Sequence, residues 1–461
     1  MKTNLFLFIA NTFLLCSINC ILYAQIPIIQ WQKCLGGTAS DYAACVNQTS
    51  DGGYILTGST ISNDGDVSGN HGGSDLWVVK LSSFGIIEWQ KCIGGSNSES
   101  GNSIQQTSDG GYIVAGYTYS NDGDVIGNHG GYDVWIVKLT NNGIIQWQKC
   151  LGGSNSELGN SIQQTSDGGF IVAGQSSSNN ENVTGNHGGS DVWIVKLNNN
   201  GNIQWQKCLG GSNSENAECI QQTSDGGYIV AGQSSSSNGD VSGNHGGSSD
   251  IWLVKISSFG IIEWQKCLGG TSLDYAASVI QTSDGEYIVA GNTSSNNGDV
   301  SGNHGSGDIW IVKLTNSGLL KWQKYLSGSN SDYVEYIQQT SEGGFIVAGN
   351  SYSYNGDVSG NHGSGDAWIV KLSPDNTFIN ENIELMQTQI FPNPAKSFIN
   401  LNFDLDLIDE KYQICNSLGQ IILTGIIFSE SMKIDLSKYS SGLYFIKIGN
   451  KNNQTIKFII E

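Results

Sequence analysis

The chain has 461 residues, 62 of them glycine and 4 proline, with 13% charged residues and a formal net charge of −20. Every basic residue is a lysine, and an acidic chain without arginine argues against a nucleic-acid partner and against a polybasic membrane anchor. Short strands joined by glycine turns suit this composition better than helices.

The first 24 residues read as a secretory signal peptide. Lys2 precedes an apolar run over residues 5–15, and Leu22-Tyr23-Ala24 before Gln25 resembles a small-residue cleavage site. Cys20 follows Ile18-Asn19, which lacks the small residues of a lipoprotein signal. No later run reaches the roughly 18 apolar residues of a membrane span, so the mature chain is expected to be exported and soluble.

From there one unit repeats. Trp-Gln-Lys recurs at Trp31, Trp89, Trp147, Trp205, Trp264 and Trp322, and a second tryptophan recurs at Trp77, Trp135, Trp193, Trp252, Trp310 and Trp368. The steps are 58 residues with a single 59, and these twelve are all the tryptophans. Such a period signals a propeller or a solenoid. In the third unit, residues 161–166, the turn Asp167-Gly168-Gly169 and residues 170–174 read as a tight hairpin. After a longer loop, residues 191–197 and 202–208 form a second hairpin. Four strands per unit make one propeller blade, and mid-strand tryptophans are expected in the core.

The strand order is offset. The mature chain begins with a lone fourth strand, residues 28–35, and the last repeat ends on a third strand, residues 366–372. A ring in which the N-terminal strand completes the sixth blade accounts for the offset and removes exposed edges. The expectation is all-β: a six-bladed β-propeller over residues 25–372, closed by the N-terminal strand.

The units, with Asp-x-Trp-(Ile/Val)-Val-Lys-Leu, then Gly-Gly-Ser, then Asp-Gly-Gly-Tyr-Ile-Val-Ala-Gly, resemble the bacterial β-propeller repeat family of secreted and surface proteins. The resemblance spans about residues 28–372 and implies a fold more than a function.

A linker over 373–388 leads to residues 389–461, where strands alternate with Gly and Asn turns, as in a small β-sandwich. Pro392-Asn393-Pro394, Leu418-Gly419-Gln420, Asp435-Leu436-Ser437, Gly442-Leu443-Tyr444-Phe445 and Lys457-Phe458 occur in that order. This set resembles the type A sorting domain of the type IX secretion system. It implies a Bacteroidetes-type bacterium, the secretion machinery as partner, and removal of the domain with release or attachment at the cell surface.

The short turns of a blade share one face and the long loops the other, where a ligand site is expected. Each second-to-third-strand loop follows the pattern of residues 63–75 and holds one of the six histidines: His71, His129, His187, His245, His304 and His362. Counting Asp64 as 1, oxygen-bearing Asp66, Ser68, Asn70 and Asp75 fall at 3, 5, 7 and 12, with Gly69 at 6, as in a calcium loop. Calcium, the one possible cofactor, is therefore assigned to Asp64, Asp66 and Asp75 and to Asp122, Asp124 and Asp133. Departures from the pattern are an Asp in place of Glu at 12, Ile126 at position 5, Asn180 and Asn182 in the third loop, and an extra residue before Asp250. Glycine, Asn and Asp also build turns without metal.

Eight cysteines follow the signal peptide. They are expected to be mostly free, although Cys34 with Cys45 and Cys208 with Cys219 are close enough in sequence for two local disulfides.

Three functions compete: a non-catalytic binding or adhesion module for an extracellular glycan or protein, a passive structural spacer, and an extracellular glycan-active enzyme. Catalysis needs an asymmetric constellation, which near-identical blades do not supply. Thr49-Ser50-Asp51-Gly52-Gly53 matches the Asp box of sialidases only loosely, and the arginines that grip their substrate are missing. The binding module, without enzymatic activity, is the favoured expectation.

Overall fold

The computed structural model describes residues 31–461 apart from 305, 375–388, 403–409, 430 and 449–453. The expected signal peptide, residues 28–30 of the N-terminal strand and most of the linker lie outside the described residues. Among those described, the turn glycines and β-branched runs resolve into thirty strands, and no helix is long and apolar enough to cross a membrane. The chain divides into two units, Met1–Pro374 and Asp375–Glu461.

In the first unit, β1 (Asp41–Gln48), β2 (Tyr54–Thr60), β3 (Asp75–Leu81) and β4 (Ile87–Ile93) form an antiparallel meander in that order. The same sheet recurs from β5 (Glu99–Gln106) to β8 (Ile145–Leu151) and from β9 (Glu157–Gln164) to β12 (Ile203–Leu209). It recurs again from β13 (Glu215–Gln222) to β16 (Ile262–Leu268) and from β17 (Asp274–Gln281) to β20 (Leu320–Leu326). The sixth sheet, from β21 (Asp332–Gln339) to β23 (Asp366–Leu372), has three strands. These sheets resemble propeller blades.

Each motif of the repeat has a packing reason. The third strands of the first five sheets are buried along their whole length, and Trp77, Trp135, Trp193, Trp252 and Trp310 are at most 2% exposed. The indole Nε1 of Trp193 donates to Gln206 Oε1 at 2.8 Å, so the Trp-Gln-Lys glutamine satisfies the buried ring. Gly58 lies opposite Trp77 in the register. A Cβ there would stand 1.8 Å from the Tyr42 carbonyl oxygen, so glycine is what lets the bulge between Ala43 and Cys45 press on the second strand. Lys138 is buried at 4% exposure, with Nζ 3.0 Å from Asp109 Oδ2 in the Asp-Gly-Gly turn, and Lys196, Lys255 and Lys313 repeat the pairing. All eight described cysteines are free, and burial beside Asp carboxylates pushes the Cys92, Cys150, Cys208 and Cys267 thiols up to about 12. They are inert core groups.

Adjacent sheets interlock at the inner strands. Ser50 N–H donates to Gln106 Oε1, and Ser108, Ser166, Ser224 and Ser283 donate in turn to Gln164, Gln222, Gln281 and Gln339. The two ends of the array differ from its middle. β1 is mostly exposed where its counterparts are buried or half-buried, with Tyr42 at 67%, and β23 alternates between half-buried and exposed residues where its counterparts are buried, with Ile369 at 60%. Residues 31–35 form no strand and pair with no strand of the sixth sheet among the described residues. They do rest on the first sheet. Trp31 Nε1 donates to Ser83 O at 3.1 Å, just as Trp264 Nε1 of the fourth sheet donates to Asn316 O of the fifth at 3.2 Å. Trp31 meets Tyr54 edge-on at 5.4 Å, as Trp264 meets Tyr287 at 5.7 Å. Residue 31 thus occupies the place of a preceding sheet's outer strand.

The second unit contains two antiparallel sheets. One joins β24 (Gln389–Phe391), β25 (Phe398–Asn402) and β28 (Ser431–Asp435). The other runs β27 (Ile421–Ile426), β26 (Lys411–Asn416), β29 (Gly442–Ile448), β30 (Gln454–Ile460). Alternate residues of both sheets, among them Ile399, Leu401, Ile414, Ile446 and Phe458, bury a single apolar core.

Candidate functional site

The long loops are built from their own side chains. In the first, Asp64 Oδ1 accepts from Thr38 N at 2.8 Å and Asp66 Oδ2 from Gly36 N at 3.4 Å, tying the loop to the connector that enters β1. The Thr38 hydrogen bonds hold the Asp64 carboxyl below its ordinary range. Ser68 Oγ accepts from Gln90 Nε2 at 2.7 Å, and Asn70 Nδ2 reaches Thr60 O at 3.0 Å. Asp75 Oδ2 accepts from both His71 N at 3.1 Å and His71 Nδ1 at 2.7 Å. Val67, 2% exposed, plugs the loop into the core, as Val125, Val183, Val241 and Val300 do in the next four.

In this geometry the carboxylates assigned to calcium accept hydrogen bonds from within the protein. Gly69 and Gly127 do take the positive φ a loop glycine supplies, at 92° and 94°. The oxygens, however, do not converge. Asp122 Oδ1 accepts from Ser96 N, Asp124 Oδ2 from Gly94 N, and Asp133 Oδ2 from His129 N and Nδ1, repeating Asp64, Asp66 and Asp75. Where the later repeats carry Asn180, Asn238, Asn297 and Asn355, the amide oxygen accepts the same connector N–H at 2.9 to 3.0 Å. The position therefore requires an acceptor and no charge, which is a capping role. Among the described residues no group of three or more His, Cys, Asp or Glu is placed to hold a metal.

The histidines cap the third strands. His129, His187, His245 and His362 repeat the two bonds of His71 to one Asp oxygen, while the His304 ring turns to Ser327 Oγ at 3.1 Å. His245 Nε2 also lies 3.5 Å from Asp299 Oδ2 in the next loop, so neighbouring loops are coupled. Burial raises the Asp75 carboxyl despite the imidazole, and the Asp75 hydrogen bond raises His71.

The signs of these shifts set a pH optimum. His71 titrates above its ordinary 6.5 in the folded chain, so its contribution is complete below 6.5 and fades as pH rises through the folded value. At Asp109, Asp167, Asp225 and Asp284 burial would raise the carboxyls, but the turn threonine, the turn N–H and the paired lysine bring them to about 2 from 3.8. Their contribution is present above 3.8 and lost as pH falls toward 2. The urea midpoint should therefore be higher near pH ~5.5 than at pH ~8 and collapse below pH ~3.5. A midpoint that rises steadily from pH ~5 to pH ~8 contradicts these assignments.

A second feature escapes the sequence pattern. The bulges of the six inner strands face one cavity of about 470 Å³. There the repeat stops repeating, with Ala44, Asn102, Asn160, Glu218, Ala277 and Glu335 at one equivalent position. Sequence reasoning missed Glu218 and Glu335 because it averaged over the units. The available signal was the variation itself, at a mid-strand position between near-identical neighbours.

Comparison with known proteins bears mainly on the second unit. Residues 389–461 match the secretion system C-terminal sorting domain. A tail of this type indicates export to the cell surface or the extracellular space. Beta-agarase A of Zobellia galactanivorans is 35% identical over 72 residues, 16% of this chain and 13% of the agarase. Among solved structures, PorZ, an essential bacterial surface component of the type IX secretion system of Porphyromonas gingivalis, is 10% identical with a TM-score of 0.36. The match covers 93% of this chain and 53% of PorZ. The Pan2 WD40 domain of Neurospora crassa is 11% identical with a TM-score of 0.36, covering 66% of this chain and 85% of that domain. The chain thus spans about half the length of PorZ and a small part of the agarase.

Proposed function

We propose that the protein is an exported, non-catalytic binding module, delivered by the type IX secretion machinery and displayed as a six-bladed propeller. Its long-loop face meets an extracellular glycan or protein. The observation that supports this most is the loop scaffold: in every repeat an Asp or Asn side chain fixes the loop to its connector. A surface ordered before contact loses little entropy on binding. The repeated carboxylates serve the scaffold, which leaves the outward histidine edges and loop backbones as recognition groups.

Residues 28–35 complete the sixth blade in this reading. Two observations support it: Trp31 already sits on the first sheet as an outer strand does, and a groove of about 260 Å³ lined by Val358, Ser359 and Trp368 flanks the β23 edge. In the first sheet the corresponding place holds Gln90, which bridges Trp77 Nε1 and the Ser68 carbonyl. Gln32 is its sequence equivalent.

The mature protein should be retained by at least one member of a panel of extracellular polysaccharides and bacterial surfaces. The triple variant H71A/H129A/H187A, checked for folding by circular dichroism, should bind about tenfold or more weakly. Retention that survives the triple variant removes the loop face from the reading, and retention by nothing on the panel favours a passive spacer.

A further inference from the structure

The central cavity has its own chemistry, independent of the loop face. One wall is a hydrogen-bonded row. Asn102 Nδ2 donates to Gly159 O at 3.1 Å, Asn160 Nδ2 to Ala217 O at 3.0 Å and to Glu218 Oε2 at 3.3 Å, and Asn216 Nδ2 to Glu218 Oε1 at 2.5 Å. Glu218 is therefore fixed in orientation. The lining also carries Glu335, whose carboxylate has no hydrogen-bond partner among the described residues, together with Tyr275 and Tyr336.

Two further observations indicate that the space is unfinished. Ser278 is 1% exposed, lines the cavity, and its hydroxyl has no partner; a buried hydroxyl is rarely left so. No lysine or histidine lies among the residues lining the cavity, and the chain has no arginine. Two carboxylates, Glu218 half-buried and Glu335 exposed, thus line one open-sided space without a counter-charge, and a cation between them would relieve the repulsion that Glu335 exerts on Glu218. Burial and the charge of Glu335 raise the Glu218 carboxyl, and burial raises Glu335.

The shape favours an organic cation over a metal ion. Calcium takes six to eight oxygens, and two carboxylates supply too few. A cavity of about 470 Å³ has room for a molecule of several heavy atoms, and tyrosine faces attract ammonium groups. We propose that the central cavity binds a small ammonium-bearing molecule, its charge between Glu218 and Glu335, its polar groups reaching Ser278 and Asn160, and its methylenes against Tyr275 and Tyr336.

Isothermal titration calorimetry of the mature protein with choline, putrescine and spermidine at physiological salt tests this. At least one amine should bind with a stoichiometry of one; E218Q should weaken it about tenfold, as expected for a partly buried charge contact, and E335Q, at an exposed carboxylate, by a smaller factor. The double variant should abolish it. Because the chain carries a net charge of −20, E181Q serves as the control for diffuse attraction and should leave binding unchanged. Thermal melting verifies folding, and S278A adds a mild variant should either Gln substitution fail to fold. Equal binding by E181Q and the cavity variants, no heat with any amine, or saturable heat with a neutral polyol such as sorbitol overturns the proposal.

Discussion

Deleting residues 389–461 should move the protein almost entirely from the surface and external fractions into the cell-associated fraction. The expectation rests on the match of this segment to a C-terminal sorting domain and on its own apolar core, in which Ile399, Leu401, Ile414, Ile446 and Phe458 pack together. Because the segment has its own core, the truncated chain should keep the melting transition of the repeat unit, so lost export is not lost folding. Fractionation and immunoblotting of the producing bacterium measure the first point, and calorimetry of the purified truncation the second. An unchanged external fraction would show that residues 389–461 are dispensable for export.

The second large effect concerns the tryptophans. Trp193 is 2% exposed, packs with Val172, Val195 and Cys208, and bonds Gln206. Its truncation in W193A should cost about 3–5 kcal/mol through lost burial and an unfilled cavity. Trp368 is the informative counterpart, because β23 alternates between half-buried and exposed residues where β3 is wholly buried. With residues 28–35 seated on β23, W368A should cost nearly as much as W193A, and Q32A should add a smaller loss. With the sixth sheet left three-stranded, W368A should cost a fraction of that and Q32A nothing. Urea unfolding of the three variants separates the outcomes.

Much of this architecture was legible in the sequence, for identifiable reasons. The Asp-Gly-Gly and Asn-Gly turns fix hairpins locally, so strands at Phe170–Ser176, Asp191–Leu197 and Ile203–Leu209 follow from period-two patterning and turn chemistry alone. Strand position places the tryptophans in the core; the third-strand set of the first five sheets is buried, while Trp368 and the Trp-Gln-Lys set are half-buried. The loop carboxylates were harder. A calcium loop and an Asp-capped connector both need short oxygen-bearing side chains beside glycines with positive φ, and spacing cannot tell them apart. What separates them is the direction of each Oδ atom, which depends on connector residues about 26 positions away, such as Thr38 for Asp64. The cavity was invisible for another reason. Glu218 and Glu335 lie two blades apart, and only the arrangement of the inner strands brings their charges to one space.

Closure of the ring is tested most directly by a cross-link. In the first five sheets the third strand pairs Val78 with Lys91, Ile136 with Lys149, Ile194 with Lys207, Leu253 with Lys266 and Ile311 with Lys324. The same register in a completed sixth blade sets Ile369 opposite Lys33. Directly opposed residues of antiparallel strands lie about 4.5–5.5 Å apart at Cα, within disulfide reach. In a Cys34→Ser background, the pair K33C and I369C should oxidise quantitatively to one intramolecular disulfide, found by peptide mapping, and the melting temperature should rise. Free thiols after oxidation, or disulfides only between separate chains, would contradict a ring closed by its own N-terminal strand.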